Sequence, residues 1–297
     1  MRLSQAMGRR LVAGIPTVWL LLLFLVPFLI VFRISFSEVR LAIPPYTPLI
    51  TWHHGSPSME VHWSAYSFLF TDSLYVSSYL YSLKVAAVST LCCLLIGYPM
   101  AYAIARASPS WRSLLLMLIV LPFWTSFLLR VYAWIGLLNN NGVINNALLA
   151  LGLIHRPLVL MQTDFAVYIG IVYSYLPFMI LPLYANLEKH DPALLEAAAD
   201  LGARPFRALL RVTLPLSFPG ILAGSLLVFI PAVGEYVIPT LLGRTDQLMI
   251  GRVLSDEFFE NRDWPVASAV AILILLLLLV PIMLFQRVQR RELEASK

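Results

Sequence analysis

The sequence predicts an all-α polytopic membrane protein with about six transmembrane helices. Hydrophobic residues make up 60% of its 297 residues, and the mean hydropathy is +0.81. Charged residues make up only 12%, about half of the roughly 25% typical of soluble domains. The bilayer must therefore act as the solvent for much of the chain. We expect a single transmembrane domain over residues 1–297.

Six apolar runs are each long enough to cross a bilayer, which takes about 20 residues. The first is longer than the apolar core of a signal peptide and has no small-residue cleavage site after it, so we expect an uncleaved spanning helix. The predicted spans are Leu11–Phe32, Tyr79–Ala105, Leu114–Leu138, Phe165–Leu187, Phe218–Leu242 and Pro265–Phe285.

The distribution of basic residues predicts the orientation. Thirteen of the 21 lysines and arginines fall in one set of connections, six fall in the opposite set, and two lie inside spans. Because basic loops stay in the cytoplasm, both termini are predicted to be cytoplasmic. The net charge of +5 reflects this asymmetry, so no nucleic-acid partner is expected. Residues 33–78 are then predicted to form the first extracytoplasmic loop. The spacing of its histidines matches no metal-ligand pattern, so no metal site is expected.

The longest predicted cytoplasmic connection, residues 188–215, is charged and amphipathic. Between Leu194 and Leu201 the apolar residues recur at helical spacing and leave Glu196 and Asp200 on another face. Gly202 permits a bend at the helix end, and Pro205 can open a second helix. The segment therefore predicts a helix, a glycine turn and a helix at the membrane surface.

Two functions remain open for this segment, which we call the 188–215 loop. Its arginines would suit an amphipathic helix lying on anionic lipid. Its run of small residues, Ala197-Ala198-Ala199, and the glycine turn would instead allow another protein to approach closely. The small residues favour a protein docking surface.

The 188–215 loop resembles the EAA loop of ABC-importer permeases, a pattern of Glu-Ala-Ala, three residues, Gly, nine residues, Ile, one residue and Leu-Pro. The only departure is a valine in place of the isoleucine. The residues at the positions of the pattern are Glu196, Ala197, Ala198, Gly202, Val212, Leu214 and Pro215. The resemblance implies a type I ABC-importer permease fold, in which these residues form a cytoplasmic coupling helix seated in a cleft of the ATP-hydrolysing subunit.

The resemblance extends over most of the chain. YSYLPFMILPLYANLEKHDPALLEAAADLGA, VGEYVIPTLLGR and NRDWPVASAVAI are similar to permeases of the spermidine/putrescine family. This implies ATP-driven import of polyamines, with putrescine the expected substrate, in a bacterial inner membrane. Another small solute, such as spermidine, an opine or a phosphonate, is the alternative. A passive channel or a membrane enzyme is a rival of another class.

The implied partners are a second homologous permease subunit, a dimer of ATP-binding subunits, a periplasmic substrate-binding protein and membrane lipid. The second permease is either a paralogue, which the resemblance favours, or a second copy. A P-loop needs a lysine after glycine, and none of Lys84, Lys189 and Lys297 follows a glycine. We therefore expect no enzyme activity and no cofactor in this chain, with ATP and Mg²⁺ held by the partner ATPase.

Glu235 is the main candidate for the substrate path, because an ionisable residue inside a span is expensive and usually functional. Pro231, Gly234, Pro239 and Gly243 surround it, which predicts a kinked or locally unwound helix. Its carboxylate could attract a dicationic amine. It could equally pair with a basic residue such as Arg130, or cap freed backbone groups.

The other candidates are one arginine and three aromatic residues. Arg130 would repel a polyamine, so a gating or ion-pair role is predicted for it. Tyr236, Tyr173 and Trp134 could bind ammonium groups by cation–π contacts, each worth about 0.5–2 kcal/mol. Packing is the alternative for each of these rings.

Overall fold

The computed structural model describes residues 12–53 and 56–295. In chain order the elements are α1 (Val12–Ile34), β1 (Ile50–His53), β2 (Ser56–Met59), α2 (Ser64–Thr71), α3 (Ser73–Arg106), α4 (Pro109–Val120), α5 (Phe127–Leu138), α6 (Val143–Ala150), α7 (Asp164–Leu187), α8 (Ala193–Asp200), α9 (Pro205–Leu216), α10 (Phe218–Val233), α11 (Val237–Leu242), α12 (Ile250–Phe259) and α13 (Trp264–Ala295). The chain divides into two compact units, which are described separately. One contains the residues up to Val76 and Leu254–Leu276, and the other contains Ser77–Val253 and the residues from Leu277 onward.

The all-α polytopic prediction is confirmed. Within the described residues, α1, α3, α7 and the apolar part of α13 are each long and apolar enough to span a membrane, and two bent helix pairs raise the number to as many as six. These four helices coincide with predicted spans, although Leu11 lies outside the described residues.

The predicted third span, 114–138, is not one straight helix. Helix α4 ends at Val120, a 3₁₀ turn covers Leu121–Trp124, and the direction changes by 91° before α5 continues. Pro122 lies in this turn. A proline has no N–H to donate and its ring obstructs the preceding turn, so the α-helix cannot continue through it.

Helix α7 packs closely against α10 and α11 in the unit that contains residues 77–253. A Cβ added at Gly224 would lie 2.8 Å from the Sδ atom of Met179, and one added at Gly170 would lie 2.7 Å from Ile238. Apolar side chains gain little by leaving lipid for each other, so helix association in a membrane depends on such close approach at small residues. Helix α7 is therefore held in close contact with both α10 and α11.

The first loop, residues 33–78, contains regular secondary structure that was not predicted from the sequence. A hairpin pairs β1 with β2 in the register Ile50↔Met59, followed by α2 and the start of α3. The Ser35 and Tyr66 hydroxyls lie 2.8 Å apart, and the Tyr75 hydroxyl donates to Glu257 over 2.7 Å. The hairpin was missed because strands of four residues are too short for a period of two to stand out.

Candidate functional site

The first helix of the 188–215 loop is capped and ends as its sequence predicts. The Asp191 carboxylate accepts the Ala193 N–H over 2.9 Å, which satisfies one of the free donors at the start of α8. At the other end the Gly202 N–H donates to the Ala199 carbonyl over 2.8 Å, and the Ala203 N–H donates to the Ala198 carbonyl over 2.9 Å. These two bonds form a Schellman motif.

Gly202 adopts a φ of +76°, a left-handed conformation. No atom lies within 4 Å of the position that a Cβ would occupy. The glycine is therefore needed for its backbone conformation and not for space. The predicted bend at this residue is present.

The second helix of the loop, α9, begins at Pro205, which occupies the first helical turn as predicted. Its residues 209–213 form a π turn. The chain then bends by 66° into α10. Val212 is half-buried, whereas Leu214 and Pro215 are exposed.

An exposed apolar surface runs along the loop, and we define it by Leu194, Ala197, Leu201 and Phe206 as the loop's apolar face. Leu201 is 89% exposed and Phe206 is 71% exposed. The neighbouring Glu196 is also exposed, whereas Ala198 is buried. Apolar side chains left uncovered in this way are typical of a surface that another molecule covers.

Three contacts hold the ends of the loop on the helices of the same unit. The His190 imidazole Nε2 lies 3.2 Å from the Leu216 carbonyl, and the Arg112 guanidinium donates to Glu188 over 2.6 Å. The Tyr98 hydroxyl of α3 lies 3.0 Å from the Ser217 hydroxyl. Burial lowers the pKa of His190, the hydrogen bond to Leu216 partly opposes this, and the charge of Arg106 lowers the pKa further.

The broken span around Glu235 is the second part of the site. Helix α10 ends at Val233, three residues follow without helical structure, and α11 begins at Val237. Glu235 is 7% exposed. Its Oε1 accepts the backbone N–H groups of Val237 over 3.1 Å and Ile238 over 3.3 Å, and its Oε2 accepts the Tyr175 hydroxyl of α7. The kink predicted from the flanking prolines and glycines is present.

These contacts distinguish the alternatives for Glu235. The carboxylate caps the freed backbone groups of α11, as one alternative anticipates. Among the described residues, no lysine, arginine or histidine nitrogen lies within 4 Å of it, so the pairing with Arg130 is not formed. Gly251 of α12 packs directly on the break, because a Cβ there would lie 2.4 Å from the Gly234 carbonyl oxygen.

Arg130 lies against aromatic rings. Its guanidinium carbon is 5.3 Å from the ring centre of Phe123 and 5.7 Å from that of Phe127, and its buried Nε has no hydrogen-bond partner. The Phe123 ring is 5.3 Å from Phe178, which is 6.1 Å from Tyr175. We call Phe123, Phe178 and Tyr175 the aromatic row, since they connect Arg130 with the hydroxyl that binds Glu235.

The remaining predicted residues do not gather at Glu235. Tyr173 and Trp134 pack edge to face with their ring centres 5.5 Å apart. Tyr173 also lines an otherwise aliphatic cavity of about 440 Å³ between α3, α4 and α7. Tyr236 adjoins Glu235 and is 42% exposed.

Sequence reasoning gave no role to Tyr175 at Glu235, or to Gly251. Tyr175 is 60 positions from Glu235, and no local pattern signals a contact over that separation. Gly251 stands among helix-forming residues and gives no sign of a close approach. Within the described part of the chain, no group of three or more His, Cys, Asp or Glu residues lies together in a way that could hold a metal ion.

Comparison with known proteins gives consistent matches over most of the chain. Residues 10–294 match the family model described as "Binding-protein-dependent transport system inner membrane component". The chain is 39% identical to the spermidine/putrescine transport system permease protein PotB of Haemophilus influenzae, over 98% of this chain and 97% of that protein. It is 42% identical to PotB of Escherichia coli, over 74% of this chain and 80% of that protein.

A solved structure shares the fold. The chain superposes with a TM-score of 0.73 on a chain of a bacterial alginate ABC transporter in complex with alginate pentasaccharide-bound periplasmic protein, at 18% identity and 98% coverage of both chains. The family and these relatives confirm the resemblance and the prediction that the chain is a transport subunit and not an enzyme.

Proposed function

This chain belongs to the family of inner membrane components of binding-protein-dependent transport systems, and from that premise we propose that it is a permease subunit of an ATP-driven polyamine importer, with putrescine as its substrate. The observation that carries the proposal is the combination of an uncovered apolar face on the 188–215 loop with a broken span at Glu235. The apolar face is suited to docking a separate ATP-hydrolysing subunit, and the broken span is suited to a path for a cation.

The 188–215 loop is the proposed docking site for the ATP-binding subunits. Its apolar face is uncovered, with Leu201 and Phe206 largely exposed. Anionic lipid would repel the exposed carboxylates of Glu196 and Asp200, which argues for a protein as the occupant. The Schellman turn at Gly202 fixes the angle between α8 and α9. A docked subunit could therefore transmit a displacement through the loop as a unit.

The anchoring contacts supply a route from the loop to the broken span. His190 and Glu188 follow α7, while Ser217 precedes α10. Tyr175 lies on α7, and its hydrogen-bond partner Glu235 lies in the break that directly follows α10. In this proposal, ATP-driven closure of the motor dimer displaces α10 relative to α7 and opens or closes the path at Glu235.

A polyamine is supported by the PotB relatives and by the chemistry around the break. Glu235 supplies the negative charge, and the rings of the aromatic row can hold ammonium groups by cation–π contacts. Arg130 already places a cation on Phe123 and Phe127. We assign it a gating role, in which its guanidinium occupies ring faces that a substrate ammonium would otherwise take.

The complete importer in this proposal lies in a bacterial inner membrane with both termini of this chain in the cytoplasm. It contains a second permease, because one 188–215 loop can serve only one of two motor subunits, and the resemblance to the spermidine/putrescine family favours a paralogue in this place. It also contains a dimer of ATP-binding subunits, which hold ATP and Mg²⁺, and a periplasmic binding protein.

Uptake by reconstituted proteoliposomes tests the substrate. We expect ATP-dependent accumulation of radiolabelled putrescine, with unlabelled spermidine competing and with the uncharged analogue 1,4-butanediol having no effect. Accumulation of putrescine without ATP would point to a channel. ATP hydrolysis stimulated by another solute, with putrescine neither carried nor competing, would overturn the polyamine assignment and leave the importer assignment in place.

A further inference from the structure

A cavity of about 510 Å³ with both apolar and polar lining residues lies in the unit that contains α1, α2 and the start of α13. None of its lining residues belongs to the 188–215 loop or to the broken span around Glu235. Apolar lining comes from residues such as Val39 and Phe68. The polar residues of its lining are Ser37, Ser64, Ser67, Thr71 and Asp263.

Two hydroxyl groups of this cavity, those of Ser67 and Thr71, are left with only acceptor capacity. The Ser67 hydroxyl donates its proton to the Ser64 carbonyl over 2.9 Å, and the Thr71 hydroxyl donates to the Ser67 carbonyl over 2.7 Å. A hydroxyl has one proton and two lone pairs. Since both protons are used within α2, these oxygens can offer a ligand only lone pairs, which suits a hydrogen-bond donor.

The hydroxyl of Ser37 lacks a hydrogen-bond partner within the protein. The residue lines the cavity and is 1% exposed, and its Oγ is buried without a hydrogen-bond partner. Burying a polar atom without a hydrogen-bond partner is unfavourable. Such a cost is removed when a ligand provides the missing partner.

Asp263 places a carboxylate at the cavity without a counter-ion. Its Oδ1 accepts the Val266 N–H over 3.0 Å, which caps α13. Among the described residues, no lysine, arginine or histidine nitrogen lies within 4 Å of this carboxylate. Burial raises the pKa of Asp263, the negative charge of Glu257 raises it further, and the Val266 hydrogen bond partly opposes both.

We propose that this cavity binds a primary ammonium group, with Asp263 as its counter-ion and the oxygens of Ser37, Ser67 and Thr71 as acceptors. An ammonium has three N–H donors and no acceptor, which matches a lining that offers acceptors and a negative charge. That the ammonium belongs to the transported diamine rests on the proposed function. The headgroup of phosphatidylethanolamine has the same chemistry and is the other source.

Cysteine labelling in the complete importer tests the site. The reporter is Val39→Cys, at a lining residue that is 55% exposed, in a Cys92→Ser, Cys93→Ser background. Leu41→Cys is the matched control, because it is fully exposed two residues away and does not line the cavity. The complex is placed in nanodiscs with or without phosphatidylethanolamine and treated with a maleimide, with putrescine or 1,4-butanediol added.

In nanodiscs without phosphatidylethanolamine, we expect saturating putrescine to slow labelling at position 39 by about fivefold or more and to leave position 41 unchanged, with 1,4-butanediol inactive. Asp263→Asn should abolish the protection, since asparagine can still cap α13 but carries no charge. Protection in phosphatidylethanolamine nanodiscs without added diamine, again lost in Asp263→Asn, would support the same site with lipid as the source.

Equal labelling rates under all these conditions would overturn the proposal. Uptake of putrescine is measured in proteoliposomes reconstituted from the same purified importer, which separates the two hypotheses. Uptake without protection would remove the ammonium site and keep the proposed function. Protection without uptake would keep the site and remove the function.

Discussion

The Tyr175 hydroxyl of α7 donates a hydrogen bond to the carboxylate of Glu235, in the break between α10 and α11. The same carboxylate accepts the N–H groups of Val237 and Ile238 and so begins α11. One side chain therefore both stabilises the break and joins it to a neighbouring helix. A displacement of α10 against α7 must either break this bond or move Tyr175 as well.

Replacing Glu235 tests its charge separately from its capping role. Glu235→Gln keeps an oxygen for the two backbone donors, so we expect little loss of thermal stability and at least a tenfold slower uptake of putrescine. Glu235→Ala also loses the cap and should cost about 1–2 kcal/mol of stability. Thermal unfolding and initial uptake rates provide the measurements. Unchanged transport and KM in the glutamine variant would remove Glu235 from the path.

Tyr175→Phe removes the donor to Glu235 and retains the ring that packs against Phe178. A buried carboxylate that loses a hydrogen-bond donor should destabilise the protein by about 1–3 kcal/mol. Tyr173→Phe, two residues along the same helix, is the control and should have a smaller effect on the free energy of unfolding. Equal losses in the two variants, measured in denaturant, would argue against a special role for the bond to Glu235.

Gly251→Ala tests the close packing of α12 on the break. The new Cβ would lie 2.4 Å from the Gly234 carbonyl oxygen and 2.8 Å from that of Glu235, and overpacking of this kind costs about 1–3 kcal/mol. Gly136→Ala in α5 has no atom within 4 Å of the new Cβ and should be neutral or slightly stabilising. A thermal shift of the same size and sign in both would contradict the close contact.

The 188–215 loop should lose stability in mild acid because of His190. Its pKa lies below the ordinary 6.5, so the unfolded loop binds more protons than the folded one in the window between the two values. Stability is therefore fully present above pH 6.5 and declines as the pH falls toward the lowered pKa. Hydrogen exchange over residues 188–217 at pH 7.5 and 5.5 measures this.

His190→Gln is the matched variant for that experiment. Glutamine can donate to the Leu216 carbonyl and does not titrate, so we expect its exchange to show little pH dependence after correction for the intrinsic rate. The same acid-induced increase in both proteins would place the effect at another group.

Local signals were sufficient for most of the fold and for the loop. The length and hydropathy of the apolar runs identified the spans. Gly202 and Pro205 marked the turn between α8 and α9, because the backbone conformation at each position depends on the residue type found there. The break at Glu235 was also foreseen from its flanking prolines and glycines. The partners of Glu235 were not, since Tyr175 and Gly251 reach it only through the packing of α7 and α12. The 91° bend between Trp124 and Phe127 was missed because the apolar residues on its two sides form one continuous run in the sequence.

Gly202→Asp tests whether the 188–215 loop transmits work from a separate ATPase. Gly152 is the matched control. Its φ is +69°, compared with +76° at Gly202, and no atom lies within 4 Å of the position of a Cβ at either residue. The turn at Gly152 has the same pair of Schellman hydrogen bonds, formed with the carbonyls of Leu148 and Leu149. Each aspartate thus meets similar backbone strain. The measurement is ATP hydrolysis by the reconstituted importer, with and without substrate-loaded binding protein. We predict that Gly202→Asp loses the stimulation of ATP hydrolysis and that Gly152→Asp keeps it. Normal stimulation in Gly202→Asp, or equal loss in both variants, would contradict coupling through the 188–215 loop.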